Sequence, residues 1–213
     1  AADGPAIDAS LARGFRAIKI KLGDGELGRD IEALRMVRSL AGPDVLLMAD
    51  YNQSLDVPEA IRRIRRLEEF DLHWIEEPVK AEDLAGHAAV RAGCNTPVQT
   101  GENWWFPEGM AAALAAGACD HAMPDVMKIG GVTGWMQAAA LAAVHGMPVS
   151  SHIFVETSAH LLAVTPTAHL IEYLDKASAI LAKPLELKDG MIAAQGPGLG
   201  IEIDDGALAR YRA

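Results

Sequence analysis

Three acidic residues recur at a constant interval of 26 positions: Asp50, Glu76 and Glu102. Each lies near the end of a short apolar segment typical of a buried β-strand, namely VLLMADY, LHWIEEP and PVQTGE. Three carboxylates brought together in a poorly solvated place repel one another unless a cation lies among them. Oxygen ligands without a cysteine or a convergent pair of histidines favour Mg²⁺ over zinc. The spacing therefore predicts a Mg²⁺ site.

Basic residues near the ends of other predicted strands are candidates for proton transfer. Lys19 and Lys21 lie two positions apart, so a strand places both on one face. Their mutual repulsion predicts a lowered pKa and one neutral base near working pH. His152 and Asp125 end neighbouring strands, and a carboxylate on one imidazole nitrogen raises the basicity of the other. The alternatives are an exposed edge strand for the lysines and a purely structural role for His152.

Other polar residues near these strand ends leave two alternatives open. Glu77 follows Glu76, and because adjacent strand residues point to opposite sides, only one of them is expected to face the metal. Lys128, three residues after Asp125, either faces the site or caps a loop. The remaining histidines have no regular spacing and are expected to be structural or solvated: His73, His87, His121, His145, His160 and His169.

The elements that must position these groups alternate between strands and amphipathic helices. The seven strand candidates are Arg16–Leu22, Val45–Tyr51, Leu72–Pro78, Pro97–Glu102, His121–Val126, Pro148–His152 and His169–Leu174. This alternation predicts βαβ units and a parallel sheet, either an open doubly wound sheet or a closed (β/α)8 barrel. In a barrel the carboxyl ends of all strands face one mouth, so the charged residues would meet there.

The two ends of the chain differ from this pattern. Seven strands are one fewer than a barrel needs. The segment Ala6–Gly14 has a helical pattern, so we expect a first strand to lie further toward the N-terminus. The stretch Leu187–Ala213 is richer in glycine and turn signals, which predicts a small β-excursion outside the barrel.

The bulk composition narrows the class of protein. Half of the 213 residues are hydrophobic, which predicts one domain spanning residues 1–213. A net charge of −10 disfavours nucleic acid and anionic membranes as partners. No apolar run reaches the roughly 18 residues that span a bilayer. Cys94 and Cys119 lack the spacing of a metal site, so they are interpreted as reduced thiols of a cytoplasmic protein.

The motifs, taken together, resemble the mandelate racemase subgroup of the enolase superfamily. The resemblance covers nearly the whole chain, with motif order and spacing preserved. It rests on KIK at 19–21, DYNQSL at 50–55, WIEEP at 74–78, GENW at 101–104, MPDVMKIGGVTGW at 123–135, SSH at 150–152 and the run 157–172. It implies a (β/α)8-type TIM barrel that here lacks its first strand and the N-terminal capping domain of the family.

The resemblance also implies a role for each candidate residue. The three acids bind Mg²⁺, and Lys21 is the base on one face of the substrate. His152, paired with its acid partner at position 125, is the base on the opposite face. Lys19 contacts the substrate carboxylate, Asn52 lies near the metal and substrate, and Glu172 donates a hydrogen bond to the enolate oxygen.

The implied activity is Mg²⁺-dependent removal of the α-proton of a small-molecule carboxylate. Return of the proton on the other face racemises a 2-hydroxy acid such as mandelate. Glu172 can donate only when it is protonated, which a crowded anionic site favours. A sugar-acid dehydratase with the same metal site and a non-catalytic paralogue are the alternatives. The resemblance further implies a homo-oligomer.

Overall fold

The computed structural model describes residues 4–211, in which helices and strands alternate. Seven strands form one sheet: β1 (Ala17–Lys21), β2 (Leu46–Asp50), β3 (Trp74–Glu76), β4 (Val98–Thr100), β5 (His121–Ala122), β6 (Val149–Ser151) and β7 (Ala168–Ile171). The helices are α1 (Gly4–Ala12), α2 (Leu27–Ala41), α3 (Val57–Leu67), α4 (Leu84–Gly93), α5 (Phe106–Ala116), α6 (Gly131–His145), α7 (Val155–Ala163) and α8 (Asp205–Ala209). The predicted domain range also includes residues 1–3 and 212–213, which lie outside the described residues.

The sheet is parallel, and its strands follow one another in sequence order from β1 to β7. This order lacks the reversal that defines a doubly wound sheet, so it favours the barrel-type alternative. Lys21 pairs with Asp50, and Asp50 pairs with Glu76, in register across β1, β2 and β3. The strands therefore place a lysine and two acids side by side at one end of the sheet.

The two edges of the sheet approach each other through side chains. Lys19 Nζ on β1 lies 2.7 Å from Glu172 Oε1, just after β7. Arg13 Nη2 donates a hydrogen bond of 3.0 Å to the hydroxyl of Tyr173. Within residues 4–211 no strand pairing joins β1 to β7. The α/β class and the curled parallel sheet agree with a partial barrel, whereas a missing first strand and capping domain stay predictions.

Helix α3 shows how the local sequence builds these elements. The Asp56 side chain accepts a hydrogen bond of 2.9 Å from Glu59 N, which caps the first turn. Ile64 lies on the apolar face of this helix and is fully buried. Arg63 is also buried, because its guanidinium pairs with Asp30 at 2.9 Å and with Glu59 at 2.6 Å. These two carboxylates compensate the buried charge of the guanidinium.

The outer helices complete two apolar clusters, one around β1–β4 and one around β5 and β6. After β7, β8 (Leu187–Lys188) and β9 (Met191–Ile192) form a separate antiparallel hairpin, which confirms the predicted β-excursion. Cys94 and Cys119 are free thiols. In the part of the chain that the structure describes, no helix has both the length and the apolar character to cross a membrane.

Candidate active site

The three acids predicted to bind metal converge at the carboxyl ends of the strands. Asp50, Glu76 and Glu102 each offer a carboxylate oxygen, and these oxygens lie within 4.8 Å of one another. Asp50 and Glu76 are buried, and Glu102 is largely so. Oxygens that share one Mg²⁺ are separated by about 3 to 4 Å, since each lies about 2.1 Å from the ion. The donor set therefore fits the predicted Mg²⁺ cofactor with small side-chain adjustments.

The backbone after β4 explains how Glu102 reaches this group. Gly101 has a φ of 139°, and a Cβ at this position would lie 2.8 Å from Met123 N. Only glycine allows such a close approach of two strands. The chain therefore turns at Gly101 and brings Glu102 beside the acids of β2 and β3.

Lys19 and Lys21 also lie on this end, as predicted, and both contact the acids. Lys19 Nζ donates to Glu76 at 2.7 and 2.8 Å, and Lys21 pairs with Asp50. Burial lowers the pKa of Lys19, but the charges of Glu76 and Glu172 outweigh burial and raise it above its ordinary value. The expectation that Lys21 lowers the pKa of Lys19 is thus wrong, because the charges of Glu76 and Glu172 dominate.

His152 and Asp125 form the predicted pair. His152 Nδ1 lies 2.7 Å from Asp125 Oδ2, and its Nε2 lies 3.4 Å from Glu102 Oε2. Burial lowers the pKa of His152, but the hydrogen bond to Asp125 and the charges of Glu102 and Glu172 raise it above its usual value. The imidazole is therefore held in one orientation, with Nε2 directed toward the triad.

Glu172 lies at the same end, but its environment differs from the expectation. Its carboxylate pairs with Lys19 at 2.7 Å and accepts a hydrogen bond of 3.0 Å from Ile153 N. Burial raises the pKa of Glu172, but Lys19, the Ile153 N–H and His152 outweigh burial and lower it. The predicted protonated Glu172 is therefore not favoured in this structure, because a cation and a backbone donor stabilise the ionised form.

Asn52 follows β2 in a left-handed backbone conformation, with φ at 43°. Its backbone N donates a hydrogen bond of 2.7 Å to Asp50 Oδ1, and its side chain is exposed. Glu77 and Ile153, after β3 and β6, also have positive φ values of 34° and 36°. Such conformations cost about 1 kcal/mol or more and persist where surrounding contacts hold them, often at functional sites.

Three residues beside the triad were not predicted as site residues: Glu77, Asn103 and Gln99. Glu77 is buried, and burial together with the charge of Glu102 raises its pKa to about 7. Asn103 donates to both Glu77 and Glu102. Gln99 Nε2 lies 3.4 Å from Glu76 Oε2. The in-register pairing of Gln99 with Glu76 could have indicated its position, whereas the turn that brings Asn103 inward has no clear sequence signal.

The curled parallel sheet, with acids, lysines and a His–Asp pair at the carboxyl ends of its strands, defines a class of barrel enzymes. This chain belongs to the enolase C-terminal domain-like family, whose model matches residues 6–207. Family membership confirms the superfamily to which the sequence motifs pointed.

Curated relatives and a solved structure refine this placement. D-galactarolactone cycloisomerase of Agrobacterium fabrum is 38% identical over 220 residues, covering 94% of this chain and 58% of that protein. L-talarate/galactarate dehydratase of Salmonella typhimurium is 35% identical over 199 residues, covering 93% of this chain and 50% of that protein. An enolase from Bradyrhizobium, crystallised with magnesium and mandelic acid, superposes with a TM-score of 0.96 at 52% identity. That superposition covers 100% of this chain and 60% of the other.

These relatives support membership of the enolase superfamily, but they do not decide between a racemase and a sugar-acid dehydratase. The chain spans 58% and 50% of the length of these two curated relatives. Their names refer to sugar-acid reactions, whereas the Bradyrhizobium structure contains mandelic acid. The roles of single residues, the domain range, the homo-oligomer and the cytoplasmic location stay predictions.

Proposed function

We propose that this chain forms the catalytic part of an enzyme that removes the α-proton of a small carboxylate substrate. Asp50, Glu76 and Glu102 would hold Mg²⁺. The observation that carries the proposal is the pairing of this acid triad with two different bases. Lys21 contacts Asp50 and His152 lies near Glu102, so the two proposed bases contact different acids of the triad.

The proposed chemistry follows from the charges that the reaction creates. The α-proton next to a carboxylate is a very weak acid, and its loss adds a second negative charge to the carboxylate oxygens. When bound at the triad, Mg²⁺ would offset this developing charge. Lys19, which its acid neighbours hold protonated, would bind the substrate carboxylate as a fixed cation.

Glu172 acquires its predicted role only after substrate binds. A substrate carboxylate that draws Lys19 away would remove the strongest stabiliser of ionised Glu172. Burial then dominates and favours the protonated acid, which donates a hydrogen bond to the substrate oxygen. We propose this exchange of partners as the way in which Glu172 becomes a donor.

For the overall reaction we propose racemisation of a 2-hydroxy acid such as mandelate. Lys21 and His152 would each remove or return the proton on one face of the substrate, which inverts the centre. The mandelic acid in the Bradyrhizobium structure, at 52% identity, supports this choice of substrate. Asp125 would act by orienting His152 and raising its basicity.

A sugar-acid dehydratase is the second candidate, and the names of the curated relatives favour it. It would use the same triad, with His152 returning its proton to a leaving hydroxyl group. Turnover of mandelate compared with a panel of sugar acids distinguishes the two reactions. A non-catalytic paralogue would turn over none of them, and the complete set of acids and bases argues against it.

The experiment that tests the two-base proposal is α-proton exchange in D₂O with each enantiomer of mandelate. Lys21→Arg is expected to lose exchange with one enantiomer, and His152→Asn with the other, each by about 10² to 10⁴-fold. Each variant retains exchange with the opposite enantiomer. If either variant lost exchange with both enantiomers equally, the assignment of one base to each face would be wrong.

A further inference from the structure

The Asn103 side chain lies between two acids and a lysine. Its Nδ2 donates to Glu77 Oε2 at 2.8 Å and to Glu102 Oε1 at 3.2 Å. Its Oδ1 accepts a hydrogen bond of 2.8 Å from Lys128 Nζ. Only an amide can donate to two carboxylates and accept from an ammonium group, so the neighbours also fix its orientation. Asn103 therefore uses both of its N–H groups and its oxygen.

Lys128 connects this amide to the His152–Asp125 pair. Its backbone N donates to Asp125 Oδ1 at 3.1 Å, and Asp125 Oδ2 contacts His152. Its ammonium group forms no direct ion pair with a carboxylate among residues 4–211. It donates to Asn103 instead, and Asn103 in turn donates to the two acids. Lys128 thus connects Glu102, through Asn103, with His152, through Asp125.

We infer that Asn103 and Lys128 are positioning residues that hold Glu102 in the orientation needed for the acid triad. This inference rests on the proposed function, because it assigns a role to residues around the same site. Neither residue was predicted to act on the metal. The sequence leaves two alternatives for Lys128, facing the site or capping a loop, and its contact with Asn103 favours the first.

Charge balance gives the physical reason. Glu77 and Glu102 are neighbouring carboxylates, and the shared amide separates them with two N–H groups directed at their oxygens. Lys128 polarises this amide and strengthens both donors. Without them, repulsion would turn Glu102 away from Asp50 and Glu76. Contacts that orient metal ligands are typically worth 10 to 100-fold in metal affinity.

The test is a calorimetric titration of the purified protein with Mg²⁺. Asn103→Leu removes the amide at similar volume, and Lys128→Met removes the charge at similar length. We expect each to weaken Mg²⁺ binding by about 10 to 100-fold. Lys128→Arg keeps a donor and is expected to retain affinity within a few-fold. Lys183→Met is the matched control, because the Lys183 side chain is 82% exposed and pairs only with surface Glu202.

The possible outcomes are distinct. If the wild type binds Mg²⁺ and both variants bind it equally well while only their unfolding temperatures fall, the residues support packing alone and the inference is wrong. If the wild type itself does not bind Mg²⁺, the proposed function fails, and the inference fails with it. Should Asn103→Leu not fold, Lys128→Met decides the question, since it leaves the buried acids and the amide in place.

Discussion

At the carboxyl ends of the strands, Asp50, Glu76 and Lys21 lie side by side as ionisable groups, whereas the amino ends of β3, β5 and β7 carry His73, His121 and His169. The imidazoles of His73 and His169 approach to 3.0 Å between their Nε2 atoms. The His121 ring stacks on His169 with a centroid distance of 5.3 Å. The two ends of one sheet thus concentrate different kinds of titratable group.

The electrostatics of the two ends are opposite. At the amino end, burial lowers the pKa of each histidine, and for His169 burial and the other two imidazoles lower it to about 4. These rings therefore stay neutral near pH 7 and pack as aromatic groups with Trp74. At the carboxyl end, burial raises the pKa of Glu76 and the charge of Lys19 opposes this rise, while Lys21 pairs with Asp50. One end is arranged to bind a cation, and the other excludes charge.

The largest expected effect is at the carboxyl end. Glu76→Gln keeps the volume of the central acid but removes its charge, so we expect Mg²⁺ affinity to fall by more than about 100-fold. Calorimetric titration with Mg²⁺ measures this directly. The fold should survive, because Lys19 retains Glu172 as a partner. Equal titrations of variant and wild type would show that the triad is not a metal site.

A somewhat smaller effect is expected for Asp125→Asn. The amide still contacts His152 but cannot stabilise its protonated form, so proton exchange on the histidine face should fall by about 10²-fold. Exchange on the Lys21 face should change little. The measurement is α-proton exchange in D₂O with the two enantiomers of mandelate. Loss on both faces would contradict the separation of the two bases.

The fold was predictable from the sequence because apolar runs and amphipathic segments alternate so regularly. All seven predicted strands exist, and each is shorter than predicted. The strand predicted as Leu72–Pro78 is only Trp74–Glu76, because Glu77 turns into a left-handed conformation with φ at 34°. Strand propensity carries no signal for such a turn, which the contacts of Glu77 with other strands hold in place.

The acid triad was predictable from its constant spacing, whereas the protonation of Lys19 beside it was not. Lys19 and Lys21 lie two positions apart on one face of a strand, which predicts that each lowers the pKa of the other. The partners that raise the pKa of Lys19 are Glu76 and Glu172, which lie 57 and 153 residues away in sequence. The histidine cluster was missed for the same reason: its members are widely spaced and meet only because the sheet curls.

At the amino end, a moderate pH effect on stability is expected. The pKa of His169 is about 4 in the folded protein and near 6.5 when unfolded, so the unfolded chain binds the proton first. Stability is therefore complete above pH 6.5 and falls as the pH drops toward 4. His169→Phe should remove this loss. Allowing for solvent screening, we expect a difference of about 1 kcal/mol, or about 2 to 4 °C, between pH 7.5 and 5.0.

Wild type must be compared with His169→Phe, because buried acids at the carboxyl end change the stability with pH in the opposite direction. The raised pKa of Glu77 stabilises the folded protein as the pH falls. Thermal unfolding of wild type and His169→Phe at both pH values isolates the histidine contribution. If the unfolding temperature fell equally in the two proteins between pH 7.5 and 5.0, the pKa of His169 would not be lowered by folding.

The smallest expected effect tests whether the two ends are independent. Trp74 packs against His73 and His169, and its Nε1 donates to Glu76 Oε2 at 3.3 Å, so this residue contacts both the histidine cluster and the triad. Trp74→Phe keeps an aromatic ring but removes this donor. This hydrogen bond to the carboxylate is long, so we expect its loss to cost about 1 kcal/mol and Mg²⁺ affinity to fall by no more than about fivefold. His73→Phe, which changes only the cluster, should leave the titration unchanged, and a larger shift would show that the amino end helps to set the metal site.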